Sequence, residues 1–246
     1  MEWMIPTHSY SGDDLGVCSC SGGKDSLLAI WHARQRGVRL ETLLTMFDET
    51  GLLSRSHAIP RELMQLQADA LGLRSVGPCA SWADYEQVFV GALRELHAAG
   101  HRIAVFGDID LEPHREWEER VCASAGLRAC LPLWHRDRRE LADEVLTLGF
   151  RALVVCTDSR CLGDEFCGRE FDARFLAELP SNVDPCGENG EFHTFVYDGP
   201  LFRNAVSVRL VAKEPYLAAP QLGGSRYCFA RLACSRTIAP PEHSSS

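Results

Sequence analysis

The chain has 246 residues, of which 46% are hydrophobic and 24% charged, with a formal net charge of −9. These are the proportions of a soluble globular protein, long enough for one large domain or a main domain with a smaller appendage. The acidic balance argues against non-specific nucleic-acid binding, which needs a basic excess, and no apolar run approaches the ~20 residues of a membrane helix. Eleven cysteines are odd in number and scattered singly, and no apolar segment stands near the N-terminus. Reduced thiols in a cytoplasmic protein are therefore expected.

Residues 1–14 read as a loose lead-in. Leu15–Cys20 reads as a strand, and the helix from Lys24 ends near Gly37, a natural C-cap. Leu40–Phe47 is a short apolar run that suits a strand covered on both faces. After a polar loop, 48–60, a helix from Arg61 is stopped at Gly72. Leu73–Val76 reads as a third strand, Ala83–Ala99 as a helix and Arg102–Phe106 as a fourth strand. Pro113 fits the first position of a helix striped by Trp117, Val121 and Ala125, and Leu127–Leu133 follows as a fifth strand. This alternation predicts an α/β fold: a parallel sheet covered by helices on both faces, with ligands beyond the carboxyl ends of its strands.

After Trp134 the texture changes. A helix at Glu140–Leu148, a strand at Ala152–Cys156 and a mixed, partly helical stretch at Thr157–Leu179 come next. Phe192–Tyr197 and Val206–Val211 alternate about the turn Asp198-Gly199-Pro200. A smaller α+β region is expected over 136–235, followed by a Pro- and Ser-rich tail, 236–246, expected to be disordered.

The stretch Ser19-Cys20-Ser21-Gly22-Gly23-Lys24-Asp25-Ser26 joins the first strand to the first helix. Such a turn presents backbone N–H groups and a positive helix end, which suit a phosphate; the glycines allow close approach and Lys24 adds a point charge. It is not a Walker loop, because Cys18 stands where the first glycine belongs and Asp25 follows the lysine. The glycine spacing of a dinucleotide fingerprint is also missing. Gly107-Asp108-Ile109-Asp110, at the end of the fourth strand, converges on the same crevice. A third stretch, Asp184 to Thr194, places Glu188, Asn189, Glu191 and His193 on a turn with two glycines. His114 and Arg115 occupy the first turn of a helix, where cations oppose the macrodipole, a hint of binding to a carboxylate or phosphate. Trp117 and Trp134 read as core or domain-joint residues. The cysteines lack the paired spacing of a zinc site and read as buried thiols.

The loop Ser21–Ser26 resembles the pyrophosphatase loop of the ATP pyrophosphatases, which cut ATP between its α and β phosphates. Followed in order by Gly107-Asp108-Ile109, His114-Arg115-Glu116-Trp117, Pro132-Leu133-Trp134 and Gly187-Glu188-Asn189-Gly190-Glu191-Phe192-His193-Thr194, it resembles the diphthine–ammonia ligase family over roughly residues 15–205. That resemblance implies a nucleotide-binding domain, 15–135, of the adenine nucleotide alpha hydrolase, Rossmann-like kind, with a C-terminal domain, 136–235, closing over the crevice. It implies ATP-dependent amidation of a carboxylate, with diphthine on elongation factor two the best-known substrate. Ser19, Ser21, Gly22, Gly23, Lys24, Asp25, Ser26, Phe47 and Gly107 would then face the nucleotide. His114, Arg115, Asn189 and His193 would face the substrate, with Lys24, Asp108, Glu188 and Glu191 serving catalysis.

The implied chemistry is attack of a carboxylate on the α-phosphorus, loss of pyrophosphate, and capture of the acyl-adenylate by ammonia. Mg²⁺ would ride on the phosphates, its protein ligands unassigned. Glu188, Glu191 and Asp108 are all candidates to hold ammonium and take its proton. The chain has no room for a separate glutaminase, so free ammonium or a partner would supply the nitrogen; homo-oligomerisation is left open. A tRNA sulfur-transfer enzyme shares the phosphate loop but would be expected to carry catalytic cysteine pairs and a basic surface. A non-catalytic nucleotide sensor would need no dense acidic loop.

Overall fold

The computed structural model describes residues 14–217 and 224–235. The expected lead-in before residue 14 and the tail from residue 236 lie outside the described residues.

Five short runs with apolar centres, β1 (Leu15–Ser19), β2 (Arg39–Leu44), β3 (Arg74–Val76), β4 (Ile103–Val105) and β5 (Arg128–Cys130), pair in parallel in the order β3-β2-β1-β4-β5. Each connection carries a helix: α1 (Lys24–Gln35), α2 (Arg61–Leu71), α3 (Tyr85–Ala98) and α4 (Glu112–Ala125). Parallel strands need such crossovers, and helices on the faces account for strands as dry as β4, whose three residues are all buried. One apolar layer packs Leu27, Leu28 and Ile30 of α1 against Leu43 and Val105; the other packs Phe89 and Leu93 of α3 and Val121 of α4 against Val17 and Ala104. Glycines end α2 and α4 in left-handed conformation at Gly72 and Gly126. The strand order reverses direction between β1 and β4, so the loops that leave these two strands flank a crevice.

A second, antiparallel sheet follows α5 (Arg138–Thr147), whose N-cap Asp137 accepts from the Glu140 N–H at 2.9 Å. Its strands are β6 (Arg151–Asp158), β7 (Phe192–Asp198), β8 (Val208–Leu217) and β9 (Arg226–Cys234), in the order β7-β6-β9-β8. The short α6 (Ala173–Glu178) packs Phe175 against Phe171 and Phe192. The expected strand at Val206–Val211 is longer than foreseen, and β9 carries no forecast at all. Inward positions of β9 are Cys228, Ala230 and Leu232, and outward ones include Tyr227, Phe229 and Arg231. Small residues inside and aromatic ones outside blur the period-two contrast that marks a strand.

The two sheets meet at the first turn of α1. The β7 backbone N–H of Val196 donates to the Gly22 carbonyl at 2.9 Å, and the Thr194 hydroxyl accepts from the Lys24 N–H at 3.0 Å. Gln67 of α2, fully buried, donates to the carbonyls of both Gly22 and Val196, at 3.1 and 2.6 Å.

Candidate active site

The loop after β1 folds upon itself before α1 begins. The Ser26 hydroxyl lies 3.3 Å from both the N–H and the hydroxyl of Ser21, and the Gly23 N–H donates to the Ser21 oxygen at 3.3 Å. Gly22 has a φ of +84°, a left-handed conformation that calls for glycine, and a Cβ there would also press on the flexible Met64 side chain, 2.9 Å from its Sδ. No side chain caps α1 at Gly23, and first-turn N–H groups have no acceptor within their own helix. Gly23 N–H is taken by Ser21 and Lys24 N–H by Thr194, which leaves those of Asp25 and Ser26 for an anion.

Lys24 differs from the expected point charge aimed at phosphate. It is 2% exposed, and its ammonium donates to Asp25 at 2.7 Å and to the Cys186 carbonyl at 2.5 Å, between the rings of Phe171 and Phe192. Burial disfavours its charge, but Asp25 and its other acidic neighbours outweigh that and hold the proton more firmly than usual. Lys24 thus ties the phosphate loop to the loop that carries Glu188. Asp25 is pushed up by burial despite Lys24, and its Oδ1 is buried without a partner.

The Glu188 loop is built by two carboxylates that do not face the cavity. Asp184 accepts from the N–H groups of Cys186 and Glu188 at 3.0 and 2.7 Å and pairs with Arg138 at 2.8 Å; Arg138 also clasps Asp110 beyond β4. Glu191, 4% exposed, accepts from the N–H groups of Asp184 and Asn189 and from the Asn189 amide, at 3.0 to 3.1 Å. The expected base role of Glu191 and the expected substrate contact of Asn189 are therefore not supported: Glu191 is taken up by the turn, and neither residue lines the cavity. Glu188 is different. It lines the cavity, and burial with the nearby charges of Asp25 and Asp108, opposed by Lys24 and Arg138, pushes it up to about 8.

A cavity of about 640 Å³ gathers Ser19, Ser21, Lys24, Asp25, Ser26, Gly107, Asp108, His114, Glu188 and His193. Gly22 and Gly23 form the turn beneath it. A Cβ on Gly107 would come within 2.8 Å of the Asp25 carbonyl carbon and the Ser26 nitrogen, so this glycine lets the β4 exit abut the phosphate loop. Phe47 and Arg115 stand outside the lining. Phe47 is buried under the Arg61 guanidinium, 3.7 Å from its ring centroid, and Arg115 pairs with Glu112 and lies over Trp134.

Several lining groups escaped the sequence reading. His57 comes from the loop before α2, beside Ala58 at a φ of +52°, and packs its ring 4.4 Å from that of His193. Burial lowers both: His57 falls well below the ordinary value, with His193 and Lys24 adding to the effect, and His193 falls to about 4. Two neutral imidazoles therefore face the loop. Trp82 and Tyr85 stack near the rim with Arg55 over Trp82, and Trp117 joins that lining rather than the core alone. Glu118 of α4 lies deeper still. The i, i+4 spacing of His114 and Glu118 was the signal that both sit on one face of that helix.

Two contiguous domain models cover most of this geometry: the diphthamide synthase N-terminal domain matches residues 16–129 and the diphthamide synthase C-terminal domain residues 137–219. The chain belongs to the diphthamide synthase family. A Danio rerio protein named diphthine–ammonia ligase is 29% identical over 216 residues, covering 76% of this chain and 84% of the relative. One of the same name from Schizosaccharomyces pombe is 28% identical over 76% of this chain, which spans only 34% of that longer relative. The Homo sapiens namesake is 32% identical over 95 residues, 37% of this chain and 36% of the relative. A Methanocaldococcus jannaschii structure, titled as a predicted subunit of tRNA methyltransferase, aligns over 78% of this chain and 100% of its own at 17% identity. Its TM-score of 0.40 is too low to carry an argument. No helix among the described residues of this diphthamide synthase relative is long and apolar enough to cross a membrane.

Proposed function

We propose that the chain is an ATP-dependent carboxylate–ammonia ligase of the cytoplasm, taking diphthine on elongation factor two as its carboxylate, after the name its relatives carry. The observation that carries the reading is the meeting of an anion-binding helix start with the Glu188 loop around one cavity, bridged by Lys24.

A carboxylate is a poor acyl donor because its leaving group would be oxide. Its attack on the α-phosphorus of ATP forms the acyl-adenylate and expels pyrophosphate. Free N–H groups at the start of α1 and the hydroxyls of Ser21 and Ser26 stabilise charge on the departing phosphates. The neutral His57 and His193 offer ring N–H groups without adding a charge that would hold the product. Ammonia then attacks the acyl carbon, the C–N bond forms as the C–O bond to AMP breaks, and the nitrogen releases a proton to leave the neutral amide.

Mg²⁺ fits as a companion of the nucleotide. The unpartnered Asp25 Oδ1 is the protein oxygen best disposed to join it.

Glu188 is the proposed base, since a carboxyl near 8 is matched to taking a proton at neutral pH. With ATP, Mg²⁺, ammonium and diphthine-bearing elongation factor two, native protein should yield AMP, pyrophosphate and amide in equal amounts. Glu188→Gln should retain pyrophosphate formation while the amide-forming step slows by about 100-fold or more. Loss of nucleotide binding by this variant would refute the assignment, and absence of pyrophosphate from native protein with diphthine would refute the reaction.

A further inference from the structure

Glu118 has no place in the chemistry above, yet it is the most unusual carboxyl of the cavity. It is 4% exposed and lines the cavity from α4, one turn beyond His114. Its carboxyl is in hydrogen-bond contact with Asp108, and its Oε2 is buried and accepts from no donor. Asp108 is also held from the opposite direction, by His114 Nδ1 at 2.7 Å.

Two carboxyl groups in hydrogen-bond contact cannot both ionise, so one carries a proton. Burial and the Asp108 charge push Glu118 up to about 11. Burial opposes ionisation of Asp108 too, but the hydrogen bonds from His114 and Glu118 prevail and hold it below the usual range. Asp108 therefore bears the charge. Glu118 donates its hydroxyl proton to Asp108.

We propose that Asp108, which lines the cavity together with Glu188, is the seat for the ammonium ion, with Glu118 as the residue that positions it. The seat deepens the amidation reading and rests on it for its purpose. Ammonium has four N–H donors and no acceptor; Asp108 supplies an anion for it, and Glu188 the carboxyl that takes the departing proton. A fully methylated ammonium has the charge but no N–H, so the seat discriminates against it. On deprotonation one N–H bond breaks, its proton goes to the Glu188 carboxylate, and the freed lone pair attacks the acyl carbon.

The test follows the His114 ring resonance, assigned by its loss in His114→Asn, during titration with ammonium chloride and with tetramethylammonium chloride at matched ionic strength. Native protein should show a saturable shift with ammonium alone. Glu118→Ala should weaken that response at least tenfold, and Glu118→Gln, which can donate to Asp108, should recover most of the loss. The same order should appear in the ammonium KM of amide formation, with the KM for ATP moved less than twofold. Equal shifts from both salts, or an undiminished ammonium response in Glu118→Ala, would overturn the seat. If Glu118→Ala does not fold, Glu118→Gln decides alone: a response lost as fully as in Asp108→Asn would mean that Glu118 acts as an anion, contrary to the proposal. Saturable ammonium binding without any amide product would leave the seat standing and remove the ligase reading instead.

Discussion

A single proton distinguishes Glu118 from the other carboxyls of the cavity, and its consequence reaches stability. The folded protein holds that proton to about 11, far above the ordinary 4.5 of an unfolded chain. Its contribution is therefore complete below the ordinary carboxyl range and is lost progressively as pH rises toward 11. Asp108, held low, is ionised in both states across neutral pH and adds no slope there. His114, raised by its bond to Asp108, adds a slope of the same sign, which survives substitution of Glu118. Urea denaturation at pH 5.5 and 8.0 should show native stability falling more steeply than that of Glu118→Gln. The difference is bounded by about 1.4 kcal/mol per pH unit for one proton. Parallel slopes would mean that Glu118 is ionised in the folded state.

Elements fix how closely the loops approach, and Gly107 is the tightest case. It leaves β4 beside the first turn of α1, and an added Cβ would meet backbone atoms at 2.8 Å, which no rotamer change relieves. Gly107→Ala should cost about 1–3 kcal/mol of stability and displace the phosphate loop. ATP affinity should then fall at least tenfold by calorimetry, and unchanged affinity would show that the loop tolerates the shift. At this scale the sequence was legible where one element carries its own signal. The β1–loop–α1 unit is contiguous, so strand, glycines and helix start spell the anion site directly. The Glu188 turn was equally visible, but not the division of labour within it. Whether Glu188 or Glu191 faces the cavity depends on which one the turn's own N–H groups capture, and only the folded turn decides that. His57 lies in a polar loop without period, and its burial comes from β7, 136 residues further on at His193. Glu118 reads as one more charge on a charged helix until Asp108 is set against it.

For the whole molecule, apolar clusters run from one sheet layer to the other, and a set of buried polar contacts fixes how the two meet. Thr194 accepts from Lys24 N–H, Gln67 binds two carbonyls, and Arg138 spans Asp110 and Asp184. Buried groups of this kind are costly when left alone. Thr194→Val keeps the shape of the side chain and strands the Lys24 N–H, so it should destabilise by about 1–3 kcal/mol. It should also weaken ATP binding, although Thr194 belongs to the antiparallel sheet. Retained stability in thermal denaturation would mean that water replaces the hydroxyl.

The tether at Lys24 bears on how such enzymes diversify. Its ammonium reaches neither sheet's interior but one carboxylate and one main-chain carbonyl, and a carbonyl is present whatever residue stands at position 186. The Glu188 side chain can thus change toward new acceptors of nitrogen while Lys24, Asp184 and Glu191 keep their grip on the turn. The backbone path is not free in the same way. A chimera that takes its phosphate loop from one relative and its acidic turn from another will work only where the two main chains still meet at that lysine, however well their motifs agree.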